Sequence, residues 1–81
     1  LEGVPASVDY KALKAEVAVL PHVQDVRELR VWSLDNEHHA AEVHLTTSLS
    51  DIKELETLKE SLRTVLDRYG VTMSTIEVSP Q

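Results

Sequence analysis

The sequence predicts an α+β two-layer sandwich in the order α-β-β-α-β, with both helices on one face of a three-stranded sheet. Three observations carry this expectation. Residues 8–20 and 51–69 place apolar side chains at helical spacing, whereas 26–34, 40–47 and 72–78 alternate apolar with polar residues. A hairpin followed by a helical return to a third strand packs its helices against one side of the sheet. With 81 residues the chain has enough length for one domain and one small core. Apolar residues make up 42% of it, but the aromatics are only Tyr10, Trp32 and Tyr69 and there is no Phe. The core is therefore aliphatic and thin, and burial against a partner would reinforce it.

Residues 1–7, with Gly3 and Pro5 and no periodic pattern, read as a connecting segment. The start at Leu1-Glu2-Gly3-Val4-Pro5, without Met, leads us to expect an excised fragment with something before it. In the first helix Tyr10, Leu13, Val17 and Leu20 share a face; Ser7 or Asp9 caps its start and Pro21 ends it. In the first strand Leu29 and Val31 point to one face, and Glu28, Arg30 and Trp32 to the other. Asp35-Asn36-Glu37 makes a polar turn, after which Ala41, Val43 and Leu45 alternate with Glu42, His44 and Thr46. A three-residue loop sets Leu34 opposite His38, and by extension Trp32 opposite Ala40, Arg30 opposite Glu42 and Glu28 opposite His44. Opposite charges then face each other, which favours this register.

The stripe Ile52, Leu55, Leu58, Leu62, Val65, Leu66 and Tyr69 is the clearest helical signal, with Ser50 as its expected cap and Gly70 as its left-handed stop. A last strand sets Ser74, Ile76 and Val78 against Met73, Thr75 and Glu77. One sheet face is left open, with Glu28, Arg30, Trp32, Glu42, His44, Met73, Thr75 and Glu77 on it. The only tryptophan of the chain is among them.

Composition narrows the function. There is no cysteine, so a bound metal must use His nitrogen and carboxylate oxygen. A net charge of −6 repels phosphate backbones and anionic lipid while favouring cations, and nucleic acid is not an expected partner. No apolar run approaches the roughly 20 residues that cross a bilayer, so the stretch as given is expected to be soluble and not inserted in a membrane. An enzyme is not expected: Gly3 and Gly70 are the only glycines, and no Ser-His-acid arrangement or anion-binding loop is apparent.

Three segments resemble the cytoplasmic domain of the cation diffusion facilitators, a family of divalent-metal/proton antiporters that includes zinc transporters. LEGVP at 1–5 is similar to the segment that leaves the family's last membrane helix, VRELRVWSL at 26–34 to its strand V-H-D-L-H-V-W-S-L, and MSTIEV at 73–78 to its ending H-x-T-I-Q-x-E. The resemblance implies a ferredoxin-like, metallochaperone-like fold and a V-shaped homodimer that a divalent metal narrows to favour transport. It also implies that residues 1–7 link to the protein's own transmembrane domain, N-terminal to residue 1, with 8–81 as a C-terminal regulatory and dimerisation domain on the cytoplasmic side of a membrane.

Arg27 and Arg30 stand where the family often has His, and Met73 where its final strand often begins with His. Arginine does not ligate, and a thioether suits zinc poorly. His44 stands where the family commonly keeps a strand-two histidine, and Glu77 at a position that completes a site in some members. Two donors per protomer, doubled by a two-fold axis, make the four that suit Zn2+, with Cd2+, Mn2+ or Fe2+ as other divalent ions. His38 and His39, beside Asp35 and Glu37, are further candidate ligands, with alternation favouring His38 for a site shared with His44. Trp32, Arg30 and Met73 are the candidate dimer-interface residues. The alternative is a structural dimerisation module in which the arginines replace metal with fixed positive charge.

Overall fold

The computed structural model describes residues 3–81; Leu1 and Glu2, and with them part of the expected linker, lie outside the described residues. The elements are α1 (Tyr10–Ala18), β1 (Asp25–Ser33), β2 (His39–Thr47), α2 (Ile52–Arg68) and β3 (Val71–Pro80), the predicted order throughout. The sheet runs β1-β2-β3, with β1 antiparallel and β3 parallel to the central β2.

Helix α1 starts where the Asp9 carboxylate accepts the Ala12 amide at 3.1 Å, so of the two expected caps Asp9 takes the role. The helix has nine residues rather than the thirteen of its apolar pattern, because Leu20 bonds back to Val17 in a tighter turn before Pro21. For α2 the cap is Asp51, which accepts from the Glu54 amide at 3.0 Å, and not Ser50. The carboxylate suits the positive helix end better than a hydroxyl does, and it shifts the first helical residue to Ile52.

The hairpin adopts the predicted register: Trp32 faces Ala40, Arg30 faces Glu42 and Glu28 faces His44. The three-residue turn is closed by Leu34 N–H to His38 carbonyl at 2.9 Å, and Asp35 Oδ1 accepts the amides of Glu37 and His38 at 2.8 Å each. Those bonds, the Glu37 amide first and the His38 ring next, hold the Asp35 carboxyl below its ordinary value. One feature was not legible in the alternation: a bulge between Val26 and Glu28. Arg27 is the extra residue, so Val26 pairs with Leu45 and turns to the core face.

Both helices cover that face. Leu13 and Val17 of α1, and Leu62, Val65 and Leu66 of α2, enclose Leu29, Val31, Ala41, Val43 and Leu45. The helices are also joined at their ends, where Glu16 accepts from the Tyr69 hydroxyl and lies 2.9 Å from the Arg68 guanidinium. The bond to Glu16 raises the Tyr69 phenol above its ordinary value.

Gly70 ends α2 with φ +78°, as its sequence position predicts, and a Cβ there would meet His39 Cδ2 at 3.4 Å. Gly70→Ala therefore lowers stability by about 1–2 kcal/mol from left-handed backbone alone. In thermal melts this appears as a drop of at least about 4 °C. An unchanged midpoint would show that the turn relaxes without cost.

Candidate metal centre

The two strand registers set the open face in ranks across the three strands. In order, these are Trp32–Ala40–Met73, Arg30–Glu42–Thr75, Glu28–His44–Glu77 and Asp25–Thr46–Ser79. The first is apolar, the second an ion-pair rank, the third an imidazole between two acids. The first three ranks follow from strand alternation plus one fixed pairing on each side of β2, and the Arg27 bulge brings Asp25 rather than Val26 into the fourth.

His44 Nε2 lies 3.9 Å from Glu77 Oε2 and 2.7 Å from Ser79 Oγ. The His44 side chain is 30% exposed and that of Glu77 71%, so both are accessible from the open side while the imidazole is held. Zinc bonds of about 2.0–2.2 Å to nitrogen and oxygen require the two donors to be about 3.4 Å apart at a tetrahedral centre. A small rotation of the exposed Glu77 carboxylate would close the difference, and the pair then fits a divalent ion once the Ser79 hydroxyl moves off Nε2. Among the described residues no group of three or more His, Cys, Asp or Glu side chains forms a metal cage. One protomer thus brings one imidazole nitrogen and one carboxylate oxygen to 3.9 Å from each other.

The structure brings His44 and Glu77 together but places the other two candidates elsewhere. His38 sits in the hairpin turn with Nδ1 3.0 Å from both Asp35 oxygens. Six residues of strand separate it from His44, about 20 Å, too far for a shared ion within one protomer. His39 is 6% exposed, its Nδ1 3.4 Å from Ser33 Oγ and its Nε2 3.3 Å from Ser7 Oγ. Both ring nitrogens thus already have hydroxyl partners in this chain, and the side chain packs against Gly70. Ser79 was missed by sequence reasoning; it becomes visible only once Glu77 is known to pair with His44.

At the other end of the face Trp32 is 39% and Met73 62% exposed, flanking the buried Ala40. The Arg30 guanidinium stands 5.9 Å from the centre of the Trp32 ring and 3.6 Å from Glu42. Arg27 lies 3.8 Å from Asp25. Both arginines are thus paired with acids of this chain, at exposed positions where each pair contributes little stability.

Comparison with known proteins gives a consistent picture. The family model described as "Cation efflux protein, cytoplasmic domain" matches residues 5–81. The metal cation efflux system protein CzcD of Cupriavidus metallidurans is 29% identical over 77 residues, which cover 95% of this chain and 24% of that protein. Zinc transporter ttm-1 of Caenorhabditis elegans is 29% identical over 80 residues, 99% of this chain and 19% of the relative. The chain thus spans a quarter or less of these relatives. Among solved structures, the metal-bound C-terminal domain of the CzcD transporter superposes with a TM-score of 0.71 at 24% identity, covering 89% of this chain and 99% of that one. A variant of the MamM C-terminal domain gives 0.74 at 11% identity, covering 89% and 92%. At these identities the likeness is one of fold, the ferredoxin-like arrangement.

Proposed function

Since this chain belongs to the cation diffusion facilitator family as its cytoplasmic domain, we propose that it is a metal-responsive dimerisation domain whose ligands are His44 and Glu77. Two copies meet through their open faces, with Trp32, Arg30 and Met73 at the contact. A divalent ion, zinc or one like it, is held by His44 Nε2 and Glu77 Oε2 at the interface. The bound ion supplies a cross-link between protomers. It favours the closed dimer only in so far as it binds closed better than open; a tenfold preference corresponds to about 1.4 kcal/mol. In the whole transporter, residues 1–7 would connect residues 8–81 to a membrane portion preceding residue 1, and closure would favour exchange of the divalent cation for protons.

The observation that supports this reading is the 3.9 Å approach of His44 Nε2 to Glu77 Oε2 on neighbouring strands of an otherwise uncovered face. Calorimetric titration with zinc tests it. The 81-residue chain binds saturably, and His44→Ala weakens binding at least about 30-fold, the cost of losing one of two protein donors. Unchanged affinity in that variant would remove His44 from the site.

A second reading is favoured by the Arg30–Glu42 pair and the Trp32 rank, both of which need no metal. Here the dimer is constitutive and purely structural. Scattering profiles with and without zinc would then superimpose, whereas a metal-responsive dimer contracts.

A further inference from the structure

The rank next to His44 and Glu77 contains an unresolved contact. Thr46 and Ser79 are register partners on the open side of β2 and β3. Thr46 is only 7% exposed, yet its Oγ1 is buried with no hydrogen-bond partner, the one such side-chain atom among the described residues. A buried hydroxyl without a partner is destabilising and calls for an explanation. Its register partner on the neighbouring parallel strand, Ser79, carries a hydroxyl on the same face and is the natural partner. Ser79 is instead in the rotamer that sets Oγ 2.7 Å from His44 Nε2, and from there it does not reach Thr46 Oγ1, although its free lone pairs could accept from that hydroxyl.

With the ring proton on Nδ1, Nε2 accepts the Ser79 hydroxyl along the same lone pair that a metal would use. An ion at about 2.0–2.1 Å from Nε2 on that line would collide with Ser79 Oγ. The hydroxyl must therefore leave before His44 can ligate. Rotation about χ1 from one staggered position to another is all that this requires.

We infer that Ser79 is a two-position hydroxyl switch, bonded to His44 Nε2 in the metal-free chain and to Thr46 Oγ1 once a divalent cation occupies Nε2. The inference rests on the reading of His44 as a ligand. Metal entry then exchanges one hydrogen bond for another, and the orphaned Thr46 lowers the cost of opening the site. Thr46 is a positioning residue: it touches no ion but sets the affinity for one.

Metal-free thermal melts test the exchange without reference to zinc. Thr46→Val, which keeps shape and strand preference, removes an unpaired hydroxyl and raises the melting temperature by about 4 °C or more. In the His44→Ala background Ser79 is released to bond Thr46, so there the same Thr46→Val change lowers the midpoint by a similar amount. Shifts of the same sign in both backgrounds would overturn the switch. Calorimetry with zinc gives the second arm: Thr46→Val weakens binding about fivefold, one net hydrogen bond, and Thr46→Ser leaves it near the starting value. In Ser79→Ala chains Thr46→Val has no effect on affinity, and a persisting fivefold loss there would also overturn it. Zinc affinity indifferent to His44→Ala counts against the ligand reading above, whereas the reversal of sign in the melts decides the exchange of hydroxyl partners by itself.

Discussion

Leu45→Ala lowers the melting temperature by at least about 10 °C, the largest single effect expected in this fold. Leu45 is fully buried in the middle strand, between Val26 on one side and Val78 on the other, in the core under both helices. Truncating such a leucine costs about 2–5 kcal/mol, because the cavity adds to the lost burial. A domain of this length holds only about 4–12 kcal/mol in total, so the variant approaches global unfolding. Circular dichroism melts measure it, with Val19→Ala as the control: Val19 is 79% exposed, and its truncation stays within about 0.5 kcal/mol of the parent. A shift of less than about 4 °C for Leu45→Ala would mean that the core closes over the gap.

Trp32→Glu converts the proposed dimer to monomer at micromolar concentration. A tryptophan at the centre of a contact commonly contributes 2 kcal/mol or more, about 30-fold in dissociation constant, and the new carboxylate adds repulsion across a two-fold axis. The Trp32 ring lies on the side of the sheet away from the helices and is already 39% exposed, so the monomer fold tolerates the change. Sedimentation equilibrium of the parent and variant chains, with melting temperatures as the control for folding, gives the comparison. A variant that still sediments as a dimer would place the interface on another surface.

How much of this was legible in the sequence depends on how each contact is closed. The β1–β2 register could be read because a three-residue turn pins Leu34 to His38, and the pairs as far as Glu28–His44 follow from it. The face assignments of His44 and Glu77 could be read from alternation alone. Their distance could not, because β3 reaches β2 through a 17-residue helix whose length leaves the parallel register free. Ser79 was missed for the same reason. The Arg27 bulge was hidden because a single extra residue looks like ordinary alternation until a partner strand is counted against it. Beside the turn His39 reads as a ligand candidate, whereas the Ser7 and Ser33 hydroxyls and the bare Gly70 surround its ring in a niche that only the folded chain assembles.

The parallel pairing of β3 with β2 also orders events in time. His44 arrives with a local hairpin, but Ser79 stands 35 residues from it in sequence, across the whole of α2. Closing so long a loop is slow compared with forming a hairpin, and such contacts are made late in folding. The histidine is therefore on the sheet before the acid and the hydroxyl reach it. A collapsed chain in which the crossover has not docked lacks the proposed metal site, so on that proposal occupancy reports completion of the fold. An ion bound at the proposed site would slow global unfolding of the domain, not just the local opening of one strand.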